Sequence, residues 1–124
     1  MTDVEAIRAY RAAAGYRETI LKSKIPRVIE RDPEALEKIT ARLRVEVKVA
    51  ELVMQQAEQA IEKLPRQKWQ EAVRHRYLER MDLYHAGEIM FYSDRSVRRF
   101  ERDAFAYLET GAEPPEGQQD DFTE

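Results

Sequence analysis

Apolar residues recur along the chain at steps of three and four, and no stretch alternates apolar and polar residues as a β-strand would. Glycine occurs only at positions 15, 87, 111 and 117. The pattern predicts an all-α protein of four or five helices. The first helix is expected from about Asp3 to Lys24, because Pro26 and Pro33 disfavour helix at the residues before them. Its apolar stripe consists of Val4, Ile7, Tyr10, Ala14 and Leu21.

The second predicted helix has a clear start, since Asp32 is a suitable N-cap and Pro33 suits the first helical position. Apolar positions then follow a heptad seam of about three repeats. The seam consists of Leu43, Val47, Ala50, Met54, Ala57, Ile61 and Leu64. A second stripe of Val45, Val49 and Leu52 widens the apolar face. Two arrangements fit this helical arm, residues 1–64: it forms a homodimer, or its first helix folds back along the second.

Residues 65–109 predict three shorter helices. Trp69, Val73 and Tyr77 lie at steps of four and form the core face of the first. Asp82 is a suitable N-cap for a short helix, LYHAGEIMF, and Ser93 is one for the helix that follows. The core positions of that last helix are Val97, Phe100, Ala104 and Leu108.

The remaining surface of the last helix is rich in arginine. Two short helices about three residues apart, the second with a capping serine and early arginines, form the pattern of a helix-turn-helix. The second helix of that motif enters the major groove, where the planar guanidinium group pairs with guanine and with phosphate oxygens. The residues expected to contact bases are Arg95, Ser96, Arg98 and Arg99. Those expected to contact phosphates are Arg102, Arg74 and Arg76.

The net charge of −3 does not by itself indicate a nucleic-acid partner. Residues 110–124 hold five acidic residues and no basic one, so the rest of the chain is close to neutral. A DNA-binding surface must therefore come from local arrangement. The competing interpretation is a solvated face whose arginines pair with Glu101 and Asp103. The acidic tail, residues 110–124, is predicted to be disordered.

Composition narrows the function class. With 124 residues, 43% hydrophobic and 36% charged, the chain suits one small domain or a compact domain with a helical arm. The absence of cysteine excludes disulfides and cysteine zinc sites, and a reducing cytoplasm is the default expectation. No apolar run reaches the roughly 20 residues that span a bilayer. No motif of a phosphate-binding loop, a nucleophile or a zinc hydrolase occurs, so we expect no enzyme, no cofactor and no metal.

The stretch LPRQKWQEAVRHRYLERMDLYHAGEIMFYSDRSVRRFERDAFAYL resembles the helix-turn-helix of sigma factor region four, in the variant of small phage late-transcription regulators of the RinA and ArpU type. The matching positions are Leu64, Pro65, Arg76, Tyr77, Leu78, Tyr92, Ser93, Arg95, Ser96 and Val97. Ala86 and Gly87 stand where that family has Ile-Ala, and Phe91 stands where its turn has glycine. Phenylalanine adopts a positive φ only at a cost, so a reshaped turn is expected.

The resemblance implies a sequence-specific, DNA-binding regulator of phage genes, with double-stranded DNA and RNA polymerase as partners. The expected organisation is a helical arm at residues 1–64, a helix-turn-helix domain at residues 65–109 and the tail. Two alternatives stay open. One is a small terminase-like protein that recognises DNA during phage packaging, and the other is a helical protein-interaction module that does not bind DNA.

Overall fold

The computed structural model describes residues 1–113, and these form six α-helices and no β-strand. The predicted all-α class is therefore confirmed. The helices are α1 (Asp3–Lys22), α2 (Arg27–Glu30), α3 (Pro33–Glu62), α4 (Gln67–Val73), α5 (Leu83–Met90) and α6 (Asp94–Thr110). None of them is both long enough and apolar enough to cross a membrane. The tail beyond position 113 lies outside the described residues, so its predicted disorder stays a prediction.

The longer helices begin at residues whose side chains cap them. Asp32, Asp82 and Ser93, the three N-caps predicted from the sequence, each accept a hydrogen bond from a backbone N–H in the first turn. At α1, Thr2 and Glu5 form a reciprocal capping box. The predicted helix starts are thus confirmed.

The helix α2 is a single turn that the sequence pattern does not predict. It lies in the segment interrupted by Pro26 and Pro33, where the N–H of Ile29 donates to the Pro26 carbonyl at 3.0 Å. A proline disfavours helix before it but has a φ suited to a helix that starts after it. The same residue therefore ends one helix and starts a short one.

The helix α1 folds back antiparallel along α3, which is one of the two arrangements that fit the sequence. The Lys63 ammonium lies 2.9 Å from the Asp3 carboxylate near one end of the pair. Towards the other end, Arg17 Nε lies 2.7 Å from Glu51 Oε2. We call α1 and α3 together the hairpin.

The hairpin buries the heptad seam unevenly. The seam residues Ala57, Ile61 and Leu64 are buried beside α1 and the C-terminal helices, whereas Leu43 and Val47 are only half-buried. The second stripe, Val45, Val49 and Leu52, is exposed, and its first two residues line a groove between α3 and α1. The part of α3 between residues 43 and 53 thus has apolar surface that α1 does not cover.

Both halves of the chain contribute to one hydrophobic core. Ile7 and Ile61 from the hairpin lie in the same buried cluster as Trp69, Val73 and Phe100. The Arg8 guanidinium of α1 lies over the Phe105 ring of α6, 4.7 Å from its centre. The hairpin therefore contacts α6 directly and helps to hold it in place.

The helix α4 continues into a π-helical turn, Arg74–Leu78. The N–H of Glu79 donates to the Arg74 carbonyl at 3.0 Å, a bond that spans five residues. Arg80 then adopts a left-handed conformation with φ 69° and ends the helix. The wider turn changes the direction of the side chains at positions 74–78 relative to a regular α-helix.

Candidate nucleic-acid interface

The start of α6 is built around two serines. Ser93 Oγ accepts from the Ser96 N–H at 3.2 Å and donates to Ser96 Oγ at 3.1 Å. Ser96 is only 1% exposed, because it lies one turn before Phe100 on the core side of the helix. The Ser96 hydroxyl therefore faces the protein interior and serves the cap, which disfavours the base contact predicted for this residue.

The arginines of α6 lie on the opposite side from its core residues Val97, Phe100 and Ala104. Arg95, Arg98 and Arg102 are exposed, and Arg99 is half-buried. Arg102 Nε lies 3.6 Å from the adjacent Asp103 carboxylate, and the Arg102 side chain of this pair remains largely exposed. The helix therefore presents a row of guanidinium groups to solvent along its first three turns.

Arg76 does not join this row. Its Nε lies 2.6 Å from Glu101 Oε2 of α6, and its Nη1 donates to the Met81 carbonyl at 3.2 Å. The Glu101 side chain is 9% exposed, so the pair is largely removed from water. This pairing disfavours the phosphate contact predicted for Arg76, and Glu101 is not the surface partner considered for the arginines of α6.

Arg74, the other residue predicted to contact phosphate from this segment, lies beside α1. Burial raises the pKa of the Tyr10 phenol, the Glu58 carboxylate raises it further, and the positive charge of Arg74 opposes the rise. Arg74 is half-buried. The structure thus places Arg74 next to the hairpin, away from the outward row of α6.

Two cations at the start of α4 were not predicted from the sequence. Arg66, Lys68 and Tyr92 line a shallow depression beside the α5–α6 turn. The Lys68 ammonium lies 5.0 Å from the centre of the Phe100 ring of α6. Arg66 forms an ion pair with Glu113 at 3.1 Å. The Leu-Pro sequence that precedes α4 fixes where this helix starts, but only the fold brings these cations beside α6.

The turn between α5 and α6 depends on a close backbone approach. A Cβ atom at Gly87 would lie 2.6 Å from the Tyr92 carbonyl oxygen, so only glycine fits there. The Tyr92 ring packs edge-on against Phe100, with 4.9 Å between ring centres. Gly87 and Tyr92 together hold the end of α5 against the start of α6.

Phe91 occupies the first position of that turn. Its φ of 64° is left-handed, and its side chain is 91% exposed. Phenylalanine at this position predicts a reshaped turn, but the backbone keeps the left-handed conformation that glycine adopts easily. The phenylalanine therefore bears the steric cost of that conformation.

Comparisons of the chain with models of protein families, with curated proteins and with solved structures found no match. In residues 1–113, no group of three or more His, Cys, Asp or Glu side chains is placed to hold a metal ion. The arrangement offers guanidinium and ammonium donors around a capped helix start, chemistry suited to binding anions and the acceptor atoms of bases.

Proposed function

We propose that this protein is a sequence-specific, double-stranded DNA-binding regulator whose helices α5 and α6 form a helix-turn-helix. The observation that carries the proposal is the pair itself. An eight-residue helix and a capped 17-residue helix meet through a short turn that packs closely against Gly87 of the first. The second helix presents exposed arginines opposite its buried face. A helix docked in the major groove presents its N-terminal residues to base edges in this way.

The proposed contacts fall into two kinds. Arg95 and Arg98, in the first turns of α6, read base edges, with Arg99 beside them. Arg102, later on the helix, meets phosphate, because a docked helix rises out of the groove along its length. Lys68, which lies beside the turn between α5 and α6, is a further phosphate contact. Ser96 and Arg76 have structural roles instead.

The resemblance to phage late-transcription regulators supports a role in activating phage genes in the cytoplasm, with RNA polymerase as the protein partner. The exposed stripe of Val45, Val49 and Leu52 supports a second copy of the chain as a further partner. That same stripe favours the second candidate function, a helical interaction module. Small terminase-like packaging proteins also join DNA recognition to an oligomerising helical part, so packaging is the alternative use of the same motif.

A binding selection tests the proposal. The full chain is incubated with a random duplex pool, and the enriched site is compared with random DNA in a salt series. Arg98→Ala should weaken binding to the enriched site by about 1–3 kcal/mol and have little effect on random DNA. Arg102→Ala should weaken both and reduce the salt slope by about one.

Arg42→Ala is the matched control, because Arg42 is an exposed arginine of α3 far along the chain from α6. It should leave both affinities unchanged. If the wild type enriches no sequence and its binding does not depend on salt, the regulator proposal fails. The interaction module then becomes the better reading.

A further inference from the structure

Phe91 is the most exposed large hydrophobic residue among residues 1–113. It also has one of the two positive φ angles found at non-glycine residues there. A left-handed conformation at a residue with a Cβ lowers the equilibrium constant for folding by roughly tenfold relative to glycine. Glycine at this position would remove both the exposed apolar surface and the backbone strain.

Packing of the protein does not require the Phe91 ring. The neighbouring residue, Tyr92, provides the apolar contact of the turn through its edge-on packing against Phe100. Phe91 is not among the residues that form the core or pack against it. The strained position therefore holds an aromatic ring in solvent, which is the arrangement expected of a residue that contacts a ligand.

The place of Phe91 in the fold indicates which ligand. In a docked helix-turn-helix the first helix crosses the DNA backbone and the second lies in the major groove, so the turn lies at the mouth of the groove. Phe91 ends α5 two residues before Ser93, the cap of α6, and Arg95 follows in the first turn. Phe91 thus lies four residues before Arg95, the first of the arginines assigned to base edges.

The charges around Phe91 distinguish a base contact from other contacts. Glu88 precedes Phe91 in α5, and Asp94 follows it in α6. A hydrogen bond to Glu88 raises the pKa of the Tyr84 phenol, and the negative charge of Asp94 also contributes to the rise. Carboxylates repel phosphates, which disfavours a contact between this ring and the DNA backbone. The other exposed large hydrophobic residues of α5 are only Tyr84 and Ile89, whereas a protein-docking patch is usually larger.

We propose that Phe91 is a specificity-determining residue that contacts the C5-methyl group of a thymine in the major groove. Among the features of base edges in that groove, this methyl group is the one that a phenyl ring recognises by apolar contact. The inference rests on the proposed function, because it requires α6 to dock in DNA.

The test uses the full chain and a duplex enriched by the wild type from a random pool. Each thymine of that duplex is replaced in turn by deoxyuridine, which lacks only the methyl group. One replacement should weaken wild-type binding about fourfold, the effect of exposing one methyl group. Phe91→Ala should bind the thymine duplex about as weakly as the wild type binds the uridine duplex, and should not distinguish the two.

Phe91→Gly is the control that excludes misfolding as the cause of lost thymine discrimination. Because glycine relieves the left-handed strain, this variant should melt a few degrees above the wild type while also losing the response to the methyl group. A more stable protein that has lost thymine discrimination cannot be explained by unfolding.

The outcomes separate this inference from the proposed function. If the wild type enriches a site but no uridine replacement matters, or if Phe91→Ala still responds to the methyl group, the thymine contact is overturned and DNA reading by α6 stands. If Phe91→Ala weakens the thymine and uridine duplexes equally, the ring contacts the sugar-phosphate backbone, and the thymine contact is again overturned. If the wild type enriches no sequence, both proposals fall.

Discussion

At the scale of single residues, the ion pair between Arg76 and Glu101 is the strongest test of how the C-terminal helices are held together. Arg76→Ala should lower the free energy of unfolding by about 3 kcal/mol, because it leaves a carboxylate in a site with little access to water. Urea unfolding of the full chain measures the change. Because Arg76→Ala changes stability and not the proposed DNA contacts, its DNA affinity under folding conditions should change far less than that of Arg98→Ala.

A double variant checks the interpretation. Arg76→Met combined with Glu101→Leu removes both charges, and should be more stable than Arg76→Ala alone. Equal losses in the single and double variants would show that the cost comes from lost packing around Arg76. The pair would then contribute little.

Ser93 provides the second prediction at this scale. Ser93→Ala should cost about 1 kcal/mol of stability, because the Ser96 N–H loses its acceptor and the buried Ser96 hydroxyl loses its partner. Ser93→Asp is the matched control, since aspartate also caps helices and should retain most of the stability. Thermal melting followed by circular dichroism distinguishes them. A melting temperature unchanged in Ser93→Ala would argue against this cap.

The residues that the sequence misplaced have physical explanations. Ser96 lies at the edge of the apolar face of α6, where a small polar residue fits the core or the surface equally well. Only its hydrogen bond with Ser93 shows which side it takes. Arg76 lies seven residues after Trp69 and three after Val73, so a regular helix already places it on the core side. Its partner Glu101 belongs to another helix, and no pattern within one helix identifies that partner.

At the scale of helices, local chemistry predicted most of what is observed. The caps at Asp32, Asp82 and Ser93 act over three residues, so they could be read without knowing the fold. The single turn α2 was missed because its four residues have no apolar periodicity. The apolar seam could not distinguish a fold-back of α1 from a dimer. An apolar stripe indicates that a helix face is covered but does not identify the segment that covers it.

Acid should weaken the helix starts. Hydrogen bonds from Gln56 and then Lys63 lower the pKa of the Asp3 carboxyl below its ordinary 3.8, and the backbone N–H of His85 lowers that of Asp82. A carboxyl with a lowered folded-state pKa stabilises the fold above its unfolded value, and this stability is lost as the pH falls through the folded value. The melting temperature should therefore fall below about pH 4.

Asp3→Asn isolates one of these carboxyls. It should melt below the wild type at neutral pH, and the gap should narrow as the pH is lowered, because the wild type then loses the same charge. Glu37→Gln, at an exposed position of α3, serves as the control and should follow the wild-type curve. A gap that stays constant from neutral to acidic pH would contradict the proposed contribution of charge.

At the scale of the whole molecule, the shared core explains why the hairpin cannot be treated as a separate arm. Ile7 and Ile61 lie in the same cluster as Phe100, so the position of α6 depends on the hairpin. The near-neutral charge of residues 1–109 means that the proposed DNA binding must depend on where the arginines point. The fold determines the direction in which the arginine side chains point, and composition alone does not predict it.

The last prediction concerns assembly. Val49 is 55% exposed and lines a groove between α1 and α3. The other lining residues include Ala9, Ala13, Tyr16 and Val53. Small side chains on α1 allow another helix to approach closely. Val49→Glu should leave the monomer folded, because the site is exposed, and should shift the mass measured in solution towards monomer.

Met54→Glu gives the contrast, since Met54 is half-buried in the seam and its change should lower the melting temperature as well. If the dimer presents two copies of α6, the enriched DNA should contain two half-sites about 10 base pairs or a multiple apart. Val49→Glu should then prefer a single half-site. A wild type that is monomeric at every concentration and selects one half-site would remove the dimer and leave a protein that reads DNA as a single chain.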